Sequence, residues 1–177
     1  SIHIPGARLT IPARFTETAA DKRNEMPPAD SLLALLRKLG VNNDSRIVLY
    51  AQSTSLIART ARIFVALDHL GLGERLHVLN GGLPAWQEEE RKLTHLVPDI
   101  EPGNLTLAEL KKVIIKSSEL NKGRWSEDLV LIDARSDEEY YGTPASEDNP
   151  AVGGHIEGAY FLPYQDLLVD ENPYLIK

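Results

Sequence analysis

Five histidines (His3, His69, His77, His95, His155), the hydroxyl cluster Ser53-Thr54-Ser55, and the pair Asp133 and Arg135 are the side chains here that can do chemistry. Cysteine is absent, which excludes disulfides, thiolate metal sites and thiol nucleophiles within these 177 residues. A hydroxyl nucleophile needs a nearby base and an oxyanion site, and no histidine stands in a triad-like motif. The hydroxyls are therefore expected to satisfy loop backbone and to cap the helix that follows. Arg135 lies just beyond an apolar run ending at Asp133 and is expected to pair with Asp133, Asp137 or Glu139. Asp133 is expected to be a buried member of a network that orients the loop. Glu88-Glu89-Glu90 with Arg91-Lys92 reads as a solvated helix face. No metal-ligand spacing, Gly-rich phosphate loop or basic–aromatic patch occurs, so no metal or cofactor is expected.

The elements that must hold these residues alternate between helix and strand. Pro28-Ala29-Asp30 opens a helix whose Leu32, Leu33, Leu35, Leu36 and Leu39 share a face, with Gly40 at its C-cap. Asn42 to Ser45 is a turn. Ile47-Val48-Leu49-Tyr50 is a continuous apolar run, as in a strand buried on both sides. The polar loop Ala51–Ser55 leads to a helix over about Leu56–Leu70. Leu76–Leu79 is a second strand, closed by Asn80-Gly81-Gly82, and Leu83-Pro84 opens another helix. Val97–Gly103 reads as a linker, Thr106 as the cap of a helix through Ile114, and Leu129–Asp133 as a third buried strand. Residues Gly142–Gly154 form a polar loop before the extended stretch Ala159–Pro163. This alternation implies an open parallel α/β sheet with helices on both faces.

Composition agrees with a soluble globular chain, 42% hydrophobic and 25% charged. The net charge of −7 argues against nucleic acid and against anionic membrane surfaces. No apolar run approaches the roughly 18 residues of a membrane span. The first residues lack the basic and apolar regions of a signal peptide.

His3-Ile4-Pro5-Gly6-Ala7 reappears 152 residues later as His155-Ile156-Glu157-Gly158-Ala159, each copy followed by an apolar stretch and a proline, Pro12 or Pro163. The period is a typical domain length. A domain duplication follows: residues 1–96 are the C-terminal part of one copy, 97–104 a linker, and 105–177 the N-terminal part of the next.

The set of motifs resembles the rhodanese-like sulfurtransferases. Gly154–Ala159 resembles the family's GHIPGA signature. Leu131–Arg135 with Glu139-Tyr140 and Gly142 resembles its D-x-R…Y-x-G element. Val48–Tyr50 with Ala58-Arg59 resembles the surroundings of its active-site loop, and Leu79–Gly82 with Trp86 its L-[DN]-G-G…W ending. The resemblance implies sulfane sulfur transfer through a cysteine persulfide, from a small sulfur-containing anion to a thiol acceptor. The nucleophile's position, first in the loop after the buried strand, holds Ala51, so the first copy resembles a non-catalytic one. The second copy ends before its own loop would appear.

The resemblance places Arg135, with Asp133, near the substrate anion. Glu139 stands where mammalian-type tandem enzymes carry a second arginine, and Phe161 where many relatives have asparagine. Two functions follow: part of a thiosulfate- or mercaptopyruvate-type sulfurtransferase, or a non-catalytic binding module. A related phosphatase or arsenate reductase also needs a cysteine. Half domains leave sheet edges open, so Leu129–Asp133 is expected to dock beside Ile47–Tyr50, in permuted order or in a domain-swapped dimer.

Overall fold

The computed structural model describes residues 2–19, 22–53, 56–120, 129–142, 153–169 and 172–176. The chain divides into two compact units, Ser1–Ile114 and Ile115–Lys177. Thr54, Ser55 and most of the 142–154 loop lie outside the described residues.

The first unit begins with a 3-10 turn, Pro12–Phe15, and an antiparallel hairpin of β1 (Glu17–Ala19) and β2 (Lys22–Glu25). Helix α1 (Ala29–Lys38) starts after Pro28 and buries Leu32 and Leu36, one turn apart on the same side. Gly40 follows it with φ of 70°, the left-handed conformation that ends helices. Strand β3 (Ile47–Leu49), helix α2 (Ile57–His69) and strand β4 (Leu76–Val78) form a strand–helix–strand unit. The strands pair in parallel, Ile47 with Leu76 and Leu49 with Val78. Helix α3 (Gly82–Glu88) closes the motif. Phe15, Leu32, Leu36, Ile63, Leu67, Leu70 and Leu105 lie at the centre of one apolar cluster.

The second unit holds α4 (Ser117–Leu120), β5 (Ile132–Asp133), α5 (Asp137–Tyr141), β6 (Tyr160–Phe161) and the hairpin β7 (Leu168–Val169) with β8 (Asn172–Ile176). Strands β5 and β6 are parallel, with Ile132 opposite Tyr160 and Asp133 opposite Phe161.

Mixed α/β architecture with parallel strands agrees with the sequence reading, and two details differ. First, the apolar runs are not buried on both sides: Val48 is 56% exposed and Ile132 52%. Each parallel sheet has two strands among the described residues, too few to cover both faces. Strand β3 pairs with β4, and β5 with β6. Residues Leu131 and Asp133 spend their carbonyls on Tyr160 N–H and Leu162 N–H, at 2.8 and 3.0 Å.

Second, no helix forms from Thr106 to Ile114. The groups that would start it are engaged elsewhere. The N–H and hydroxyl of Thr106 both donate to Asn43 Oδ1, at 2.8 and 3.0 Å. Leu105, 1% exposed, sits in the core. Lys111 N–H donates to the His69 carbonyl at 2.9 Å, and the His69 ring meets the Lys111 carbonyl at 2.7 Å. The first compact unit accordingly runs beyond residues 97–104 to Ile114.

Candidate functional site

In the first unit, the loop after β3 is the place where chemistry gathers in an open parallel sheet. The Ala51 carbonyl accepts a 2.9 Å hydrogen bond from Leu83 N–H, and the Leu49 carbonyl one of 2.8 Å from Leu79 N–H. Two successive loops are thereby laced together at the C-terminal ends of the strands. The approach requires Gly82: a Cβ there would sit 2.6 Å from the Ala51 oxygen, and its φ is +57°. The Asn80-Gly81-Gly82 signal was legible in the sequence as a turn, but its closeness to Ala51 was not.

An open cleft of about 1080 Å³ lies against this loop, lined in part by Ala51, Gln52, Arg59, Arg62, Arg8 and His3. Ala51, at the position where the family resemblance expects a nucleophile, carries only a methyl group. Of the hydroxyl cluster, Ser53 is described, and its carbonyl accepts from Leu56 N–H at 3.0 Å. Three imidazoles are engaged with backbone carbonyls: His3 with Leu96, His69 with Lys111 and His155 with Tyr140. No group of three or more potential metal ligands occurs among the described residues.

In the second unit, Asp133 and Arg135 come together as a forked ion pair. Arg135 Nε donates to both carboxylate oxygens at 2.9 and 3.1 Å, and Nη2 to Oδ2 at 2.6 Å. Arg135 N–H adds a 3.1 Å bond to Oδ1. Nη2 also donates to the Gly154 carbonyl at 2.8 Å, tying the β5 loop to the start of the His155 motif. Of the three partners open to Arg135, Asp133 is the one found. Glu139 is occupied otherwise. It forms a capping box with Ser136 at the start of α5, its carboxylate accepting from Ser136 N–H at 3.2 Å.

Tyr140, marked in the sequence as part of the Y-x-G element but given no role there, organises this region. Its ring stacks on His155 at 3.9 Å and on Phe161 at 4.5 Å, and its hydroxyl donates to the Ala159 carbonyl at 3.1 Å. The Y-x-G spacing was the available signal. Gly142 and Gly153 let the backbones cross beneath it, since a Cβ on Gly153 would lie 2.6 Å from the Gly142 Cα.

The bonds from Arg135 hold the Asp133 carboxyl below the usual carboxylate range, and Asp133 in turn raises Arg135. A carboxyl whose folded pKa lies below its unfolded value, near 3.9, stabilises the fold above that value. The contribution is lost as pH falls through the folded pKa. Asp133→Asn is expected to flatten the acid side of the stability profile below about pH 4, followed by urea unfolding at several pH values. Superimposable acid limbs would remove Asp133 from the linkage. The Nη1 of Arg135 has no partner among the described residues, so an anion can share this guanidinium with Asp133.

The comparisons agree with these features. The rhodanese-like domain model matches residues 1–89. A thiosulfate sulfurtransferase of Azotobacter vinelandii is 35% identical over 158 residues, covering 89% of this chain and 56% of the relative. A probable 3-mercaptopyruvate sulfurtransferase of Pseudomonas aeruginosa is 29% identical over 180 residues, covering 98% and 61%. The chain thus spans about three fifths of the length of these relatives. In fold it is similar to the 3-mercaptopyruvate sulfurtransferase of Leishmania major, with a TM-score of 0.77 at 20% identity, over 99% of this chain and 42% of that one. A solved Escherichia coli 3-mercaptopyruvate sulfotransferase gives 0.75 at 22% identity, over 95% and 62%. With the parallel strand–helix–strand unit, the D-x-R loop and the repeated His-Ile-x-Gly-Ala turn, these similarities place the chain in the rhodanese-like domain family.

Proposed function

We propose that this chain serves as the junction of a two-copy sulfurtransferase, with a non-catalytic first copy and the beginning of a catalytic second one. On this reading residues 1–96 belong to the first copy, 97–104 connect, and 105–177 open the second. A cysteine outside residues 1–177 carries the sulfur. Its thiolate attacks the sulfane sulfur of a donor such as thiosulfate, the donor's S–S bond breaks, and sulfite leaves. A thiol acceptor then takes the sulfur from the persulfide. Arg135, oriented by Asp133, holds the anionic donor through the part of its guanidinium that the ion pair leaves open. The reading also accommodates two copies exchanging strands.

One observation carries the proposal: a rhodanese-like loop intact in its backbone bonds but opened by Ala51, in a chain with no cysteine. A thiosulfate–cyanide assay of the 177-residue chain is expected to show no thiocyanate above the protein-free rate. A longer form with a cysteine opening the next strand–helix loop is expected to turn over, and Arg135→Ala in it to raise KM for thiosulfate about tenfold or more, the scale of one lost charge-assisted hydrogen bond. Turnover by the 177-residue chain would overturn the reading.

The cleft at Ala51 favours a second reading, a binding module without catalysis. Its mark would be a longer form that also lacks the cysteine.

A further inference from the structure

The internal repeat sets Arg8 against Tyr160, Leu9 against Phe161 and Thr10 against Leu162. In the second unit that stretch has a parallel neighbour. Strand β5 lies beside it, and the Leu131 and Asp133 carbonyls accept from Tyr160 N–H and Leu162 N–H. In the first unit the matching N–H groups, of Arg8 and Thr10, make no hydrogen bond among the described residues. Leu9 is 82% exposed, whereas its counterpart Phe161 is partly buried. Thr10 Oγ1 is buried without a partner among the described residues, a condition that folded chains rarely leave standing. Strand β3 pairs with β4 alone, so its other edge is free, and Val48 is exposed. Arg8–Ile11 and Val48–Tyr50 line one open cleft. Two strand edges thus flank a space whose counterpart in the repeat is held by β5.

We propose that this cleft takes strand β5 of a second copy of this chain, added in parallel between Arg8–Thr10 and β3, with Ile132 opposite Arg8 and Asp133 opposite Leu9. The two ladder bonds that β5 gives to Tyr160 and Leu162 are remade to Arg8 and Thr10, and its other edge gains β3. The exchange gives up the contact between β5 and β6. It covers Leu9, Val48 and Ile132, each more than half exposed. Charge fits as well. Leu129–Ile132 is preceded by Glu127-Asp128 and followed by Asp133, while the cleft is lined by Arg8, Arg59 and Arg62 and by no described carboxylate. Strand addition to an open edge is a recurrent mode of assembly, and reciprocal exchange between two copies closes it as a dimer. The proposal rests on the duplication that the two-copy reading also uses, but it involves no sulfur transfer. Its test reads linkage and association, so it and the sulfurtransferase reading can fail separately.

With no native cysteine, introduced thiols are the only ones in the chain. Arg8→Cys chains and Ile132→Cys chains, mixed in urea and refolded together, are expected to join through a disulfide. Paired strands stand about 4.8 Å apart, within the span of that bond. The linked dimer, read on a non-reducing gel, is expected to form about tenfold faster or more than between Arg8→Cys and Leu107→Cys chains, the scale set by holding two groups together. Leu107 is exposed and lies outside β5. Val48→Lys alters an exposed residue and sets a further cation in the cleft. It is expected to weaken self-association, measured by sedimentation equilibrium, about tenfold or more, as an unpaired charge on a strand edge does. A wild-type chain that stays monomeric at every concentration, linkage no faster than the Leu107→Cys control, or a dimer equally tight in Val48→Lys would each overturn the proposal. A link formed only within chains that carry both cysteines would put the chain's own β5 in the cleft and overturn the assignment to a second copy.

Discussion

Gly103→Ala is expected to lower the stability of the first unit by about 3 kcal/mol, at the upper end of what overpacking costs. A Cβ at Gly103 would lie 2.0 Å from the Val41 carbonyl oxygen and 2.6 Å from its nitrogen. Both are backbone atoms, so no side chain can swing aside. The crowding arises because residues 103–106 lie against the turn after α1. Gly103 N–H donates to the Arg37 carbonyl at 2.8 Å, Leu105 N–H to Val41 at 3.2 Å, and Arg37 Nε to the Leu105 carbonyl at 2.7 Å. Asn42 and Asn43 complete the attachment through Asn104 and Thr106. An added methyl must push this segment outward and draw Leu105 from the core. Urea unfolding monitored by circular dichroism measures the loss. A midpoint equal to that of the unaltered chain would mean that residues 103–105 do not run against Val41.

Ala51→Cys is expected to create a thiol with a depressed pKa where none exists. A cysteine titrates near 8.5 when unperturbed and lower beside guanidinium groups. Helix α2 presents Arg59 and Arg62 to the same cleft, which no described carboxylate lines. The rate of iodoacetamide alkylation against pH should therefore show a midpoint below about 8.5. Arg59→Ala in the same background should move it back up. The new thiolate is also expected to take one sulfur atom from thiosulfate, its S–S bond breaking as sulfite leaves, seen as a mass gain reversed by cyanide. An unshifted midpoint would show that the cleft does not stabilise an anion at this position. A depressed midpoint without sulfur uptake would separate anion stabilisation from sulfur transfer.

Much of the local structure was legible because short-range physics decides it. The leucine pattern of α1, Gly40 past its end and the strand–helix alternation each depend on neighbours a few residues away. The failure at Thr106 is instructive for the opposite reason. Leu107, Leu110, Val113 and Ile114 have helical spacing, but each is 36–45% exposed, and no helix is found. Periodicity assumes that an apolar face finds a partner. Here Leu105 takes the buried place while Asn43 and His69 take the backbone and cap groups.

The site divides in the same way. Residue types alone determined that no thiol chemistry occurs within residues 1–177 and that Ala51 opens the loop, since no packing can supply a missing sulfur. The choice of partner for Arg135 belonged to tertiary structure. Asp133, Asp137 and Glu139 were equivalent by charge, and the direction of the β5 loop and the Ser136 cap left Asp133 within reach. The basic cleft was likewise invisible in a chain of net charge −7, because its arginines are scattered from Arg8 to Arg62 and only the fold gathers them around Ala51.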